Sequence, residues 1–240
     1  MNELTQHKHF PFFTILLSLV VLLFYGVMSY LSQDFHISYV LFEKFGAPYA
    51  IQIYDGQYWG VVVNSLVHAF PLHIATNLIG LWVFGAFLER RIGWFRLFVF
   101  GLVSSVFSSL AQLAFTNDAG LGLSGVNYAL FGLIFVMAIN KPIYKMKFHY
   151  WIGLFMIGFL FFSLYMNTTY EWYIAVESEI AGLFWGVLIG LFSYIKSPSI
   201  RLIGMVIPFG AALITLFYAP WSSMWQCQKA IEHHENEQID

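Results

Sequence analysis

Long apolar runs separated by short polar breaks dominate the chain. Seven of them, at 11–31, 72–88, 95–115, 122–140, 150–166, 174–195 and 203–221, read as membrane-crossing helices. About 20 apolar residues cover the roughly 30 Å of hydrocarbon in a bilayer. The first run is too long for a signal-peptide core and has no small-residue cleavage site, so it is expected to stay in place as a helix. The connection 32–71 breaks this pattern. It contains WGVVVNSLVHAF, which is apolar but too short to cross, beside Tyr54, Tyr58 and Trp59. Such a segment is expected to lie in the membrane interface. The last residues, IEHHENEQID, are acidic and expected to be disordered. The pattern thus predicts an all-α, multi-pass protein with an N-terminal segment at 1–10, one transmembrane domain at 11–221 and a tail at 222–240. It shows no internal repeat.

Composition sharpens this reading. The chain is 59% hydrophobic and 10% charged, whereas soluble domains carry about 25% charged residues. A net charge of −2 without a basic run points away from nucleic acid. A lone cysteine, Cys227, excludes an internal disulfide and a cysteine-based metal site. Lys and Arg set the orientation. Lys8, Arg90, Arg91, Arg96, Lys141, Lys145, Lys147, Lys196 and Arg201 fall on one side of a seven-span arrangement, and only Lys44 and Lys229 on the other. The N-terminus is therefore expected in the cytoplasm and the C-terminus outside. The bilayer expected is the plasma (inner) membrane.

Polar residues gather at the outer ends of the second, fourth and sixth spans. His73 and Asn77 share one helix face at i, i+4. Ser124 stands near the start of the fourth span, and Glu177, Ser178 and Glu179 near the start of the sixth. At 1.5 Å per residue, Ser124 and Glu179 lie roughly 3–8 Å below the outer boundary. Ionisable groups at that depth face a cavity or one another. Ser178, Gly182, Gly186 and Gly190 form a ridge of small residues facing a similar one at Gly125, Ala129 and Gly132. Such ridges let helix backbones approach closely. In the third span Ser105, Ser108 and Gln112 form a stripe read as interhelical hydrogen bonding. No charged residue stands at the centre of a span, which removes the support for a transporter or channel. His68, His73 and Glu179 match no metal-binding spacing, and neither metal nor cofactor is expected.

Together these motifs resemble the rhomboid intramembrane serine proteases. The resemblance covers about 58–194. It rests on His68, His73 and Asn77 with Leu81–Trp82, Gly85 and Glu89–Arg90, on Gly122-Leu123-Ser124-Gly125 with Tyr128 one turn on, and on Gly182 and Gly186. It implies a six-helix core with a seventh, C-terminal helix, and cleavage of a transmembrane protein substrate near the outer face. It matches Ser124 to the nucleophile, and the Ser124 N–H, His73 and Asn77 to the oxyanion hole. His68 is either part of the site or a hydrogen-bonded interfacial histidine. Glu89 and Arg90, at the inner end of the second span, read as structural, and Glu177 as a solvated carboxylate at the outer rim.

One position departs from the family. The residue three before Gly182, where the resemblance expects the histidine base, is Glu179, and the sixth span holds no histidine to replace it. Tyr128, which would stack on that histidine, is retained. Imidazole near pKa 6.5 takes and returns a proton at neutral pH, whereas a carboxyl near 4.3 is a weak base there. Burial strengthens a carboxylate as a base. Two readings follow: a protease impaired by the exchange, or a working Ser–Glu pair. A further alternative is a pseudoprotease that holds membrane helices without cutting them.

Overall fold

The computed structural model describes residues 9–33, 37, 39–116, 118, 120–140, 149–170 and 174–237. Among them the chain is helical and has no strand. Helix α1 (Phe12–Ser32) is followed by three short helices, α2 (Tyr39–Lys44), α3 (Ala50–Tyr54) and α4 (Gly60–Val63), and a 3-10 turn at Asn64–Leu66. These occupy the segment expected to lie at the interface. The second span is continuous over Pro71–Ile92. It comprises α5 (Pro71–Gly80), a π-helical turn (Leu81–Gly85) and α6 (Ala86–Ile92). Then come α7 (Trp94–Phe115), α8 (Ser124–Asn140), α9 (His149–Tyr170), α10 (Val176–Phe192), α11 (Pro198–Ile214) and α12 (Ser223–Glu237).

Four helices, Phe12–Ser32, Pro71–Ile92, Trp94–Phe115 and Tyr150–Thr169, are long and apolar enough to cross a membrane, and Ser124–Ile139 and Pro198–Ile214 are shorter apolar helices. Their outer faces carry bare Leu19, Leu23, Trp151, Phe155, Phe161 and Ile207. A water-soluble surface does not tolerate such a belt, and a bilayer requires one. The chain is an integral, multi-pass membrane protein.

Helices α8 and α10 form the centre. A methyl group on Gly182 would fall on the carbonyl of Gly125, and one on Gly186 on the carbonyl of Ala129. The two backbones touch along the ridges read from the sequence. Gln112 of α7 braces this pair. Its side-chain oxygen accepts the N–H of Ser178 at 2.9 Å, one of the donors a helix start leaves without an intrahelical partner. Ser105 of α7 donates to Ser65 at 2.9 Å and so ties the segment between α1 and α5 to the bundle. Ser108, the third residue of that stripe, is buried and its hydroxyl has no hydrogen-bond partner.

Two expectations are corrected. The seventh helix spans Pro198–Ile214 rather than 203–221. Ser197 caps it by accepting the Ile200 N–H, and Pro198 occupies the first turn, where its missing N–H costs nothing. The tail is helical through Glu237 instead of disordered. Gln228 of α12 donates to Asp55 beside α3 at 2.9 Å, and the Trp225 indole donates to the Phe217 carbonyl at 3.3 Å. These partners lie outside the tail, so its composition alone did not reveal them. Lys8, Lys141, Lys145, Lys147 and the last three residues of the tail lie outside the described residues.

Candidate active site

The GLSG stretch enters α8 through a left-handed glycine. Gly122 has φ +87°, a conformation open to glycine at little cost. Its N–H donates to the Asn64 carbonyl at 3.0 Å. The next N–H, on Leu123, donates to Nε2 of His68 at 3.4 Å. A side chain on Gly122 would collide with His73, whose Nε2 would stand 2.5 Å from the added carbon. Gly122 is therefore where the loop, His68 and His73 meet. Ser124 follows at once as the first residue of α8, where the N–H groups point free of the helical ladder and carry partial positive charge.

The two histidines pack with ring centroids 4.8 Å apart. Nδ1 of His73 accepts the Ala69 N–H at 3.4 Å. A nitrogen that accepts carries no proton, so in neutral His73 the hydrogen sits on Nε2, the atom facing the GLSG loop. His68 is fully buried. Burial first, then the neighbouring His73, lowers its pKa to about 3, and it stays neutral at physiological pH. Asn77, one turn below His73, is buried.

Among the described residues two carboxylates are fully buried, and they differ. Glu89 accepts the Phe13 N–H at 2.7 Å, the Thr14 N–H at 2.8 Å and the Thr14 hydroxyl at 2.7 Å. It caps the start of α1 and is fully satisfied. Glu179 is 1% exposed, and its Oε2 has no hydrogen-bond partner. Ser163 of α9 stands beside it, yet the Ser163 hydroxyl forms no hydrogen bond of good geometry. A buried carboxyl short of a partner is costly, which makes Glu179 a candidate site residue. Glu177 is half-buried, with one carboxylate oxygen buried and unpartnered, which corrects its reading as a solvated rim group. Tyr128 is buried within electrostatic reach of Glu179 and donates its hydroxyl to the Met156 carbonyl at 2.8 Å.

Ser124 and Glu179 thus stand at the same end of two helices that touch at Gly125 and Gly182, with His73 against the loop before the serine. Two contributors escaped the sequence reading. Asn64 holds the loop through a backbone carbonyl, which no side-chain pattern encodes. Asn127 donates its side-chain amide to Asn77, and alone among apolar helical neighbours it gave no periodic signal.

Comparison with known proteins follows the same residues. A family model for the rhomboid domain matches 55–196. The chain is 41% identical over 86 residues to a rhomboid protease GlpG of Serratia proteamaculans, covering 36% of this chain and 31% of that protein. It is 34% identical over 126 residues to a namesake from Photorhabdus laumondii, covering 52% and 44%. It is 27% identical over 168 residues to one from Haemophilus influenzae, covering 68% and 85%. The first two matches span less than half of those relatives' length. The glycine entrance to Ser124, the seam between α8 and α10 and the matched family domain lie in one stretch of sequence, and the chain belongs to the rhomboid family.

Proposed function

We propose that this chain is an intramembrane serine endopeptidase of the rhomboid type, impaired by its base, that cuts a transmembrane protein segment near the outer membrane face. The observation that carries the reading is the meeting of His73 with the GLSG loop at Gly122, where a donor nitrogen faces the head of α8. In the reaction the Ser124 hydroxyl oxygen attacks the scissile carbonyl and its proton passes to the carboxylate of Glu179. The carbonyl oxygen becomes an oxyanion, held by the Ser124 N–H, the Nε2–H of His73 and the side-chain amide of Asn77. Collapse of the tetrahedral intermediate breaks the peptide bond and returns the proton to the leaving amine. Water then releases the acyl group from Ser124 by the same steps in reverse order. His68, Gly122, Gly125, Gly182 and Tyr128 hold these groups in place. Neither metal nor cofactor takes part.

Glu179 is the weak member. Losing a proper base costs a serine hydrolase several orders of magnitude. Its burial without a full set of partners also favours a second reading, a pseudoprotease that holds membrane helices uncut. Assay of the native chain, Glu179→His and Glu179→His with Ser124→Ala against one membrane-anchored substrate separates these readings. The impaired protease gives slow or no native cleavage, a gain of at least about a hundredfold in Glu179→His, and none in the double variant. Ser124-dependent native cleavage at neutral pH as fast as that of Glu179→His overturns the impairment and establishes a working Ser–Glu pair. Silence of both forms favours the pseudoprotease.

A further inference from the structure

Asn127 lies one turn below Ser124 on α8 and is buried. Its side-chain nitrogen donates to the Asn77 backbone carbonyl at 2.9 Å and to the Asn77 side-chain oxygen at 3.2 Å. A backbone carbonyl can only accept, so the group that Asn127 presents there must be its NH2. The same NH2 meets the Asn77 side chain, so the Asn77 atom facing it must be oxygen. The two amide ends of Asn77 are thereby distinguished, a choice its own shape leaves open. The Asn77 nitrogen is turned the other way, where one of its two hydrogens goes to the His73 carbonyl at 3.0 Å. The seat satisfies the nitrogen end of the Asn127 amide, whereas its side-chain oxygen is buried without a hydrogen-bond partner. A methyl group on Gly80 would meet Cγ and Nδ2 of Asn127 at 2.8 Å and would push the amide out of its place. The Asn77 carbonyl also takes the Leu81 N–H, at the junction where α5 gives way to the π-helical turn.

We infer that Asn127 is a positioning residue: it fixes the orientation of the Asn77 amide so that an N–H, and not the oxygen, faces the oxyanion. The inference rests on the proposed reading of Asn77 as an oxyanion donor. An inverted Asn77 would aim an acceptor at a developing negative charge, which hinders the transition state and leaves substrate binding largely alone.

The test is a double-mutant cycle in the full-length chain, native and Glu179→His, reconstituted with a membrane-anchored substrate. Asn127→Val and the nearly isosteric Asn127→Leu should lower kcat by about tenfold, with KM changed less than about twofold. In an Asn77→Ala background the same substitutions should cost no more than about twofold, because their effect passes through Asn77. Gly80→Ala, which pushes on the Asn127 amide, should shift kcat in the same direction. An equal loss with and without Asn77 marks a merely structural role and overturns the inference, as does an unchanged kcat in every Asn127 variant. Should Asn77→Ala leave kcat intact while cleavage still needs Ser124, the reading of Asn77 falls and the protease survives. Absence of Ser124-dependent cleavage in both forms removes the protease reading itself, and the inference with it.

Discussion

His68 and His73 touch, yet their hydrogen bonds give them different tasks. His73 presents a hydrogen to the loop before Ser124, while His68 accepts the Leu123 N–H and holds that loop. The buried His68 resists protonation down to about pH 3, whereas in an unfolded chain it takes up a proton near pH 6.5. Between these values the unfolded state binds more protons, so stability rises with pH there. Acidification from pH 7 to 4 should therefore lower the melting temperature in detergent. In His68→Gln the slope over that window should flatten, although the variant is less stable at pH 7 because the imidazole packing is lost. An unchanged slope would mean that His68 is not the group responsible.

The seam between α8 and α10 is legible in the amino-acid pattern alone, because small residues every fourth position have one obvious use in a bilayer. Gly182→Leu should pry the helices apart. Overpacking of this kind costs about 1–3 kcal/mol, and here it also separates Ser124 from Glu179, so both melting temperature and cleavage by the Glu179→His form should fall. Retained activity in Gly182→Leu would show that the seam does not hold the site. Other elements are less legible. Helical spacing places Ser105 and Gln112 on one face, but does not show that Gln112 caps α10. The polar residues of α12 read as a disordered tail because their partners, Asp55 and Phe217, lie outside it. Asn127 looks like any polar residue in a membrane helix until the fold sets Asn77 and Gly80 beside it. The carboxylate at 179 is visible from its offset to Gly182, whereas its missing hydrogen-bond partner depends on the surrounding helices.

The segment of short helices between α1 and α5 ties the molecule together. Asn64 holds the loop before Ser124, and Asp55 of the same segment binds Gln228 of α12. The site, that segment and α12 therefore share one side of the membrane. On the proposed orientation, which rests on the distribution of Lys and Arg, that side faces outside the cell. Cys227 is exposed on α12, so a membrane-impermeant maleimide should label it in intact cells expressing the chain. Labelling only after lysis would reverse the orientation and put the site on the cytoplasmic side.

The contact between Gly125 and Gly182 also bears on how the chain is made. Helix α8 leaves the ribosome first, and all of α9 must follow before α10 exists. Until then Ser124 sits in the membrane without Glu179, and the flank of Gly125 that will receive Gly182 is uncovered. Completion of the candidate site thus coincides with the arrival of α10. A nascent chain stalled after α9 carries the serine but not the second half of the centre, and the glycine face of α8 has nothing to pack against.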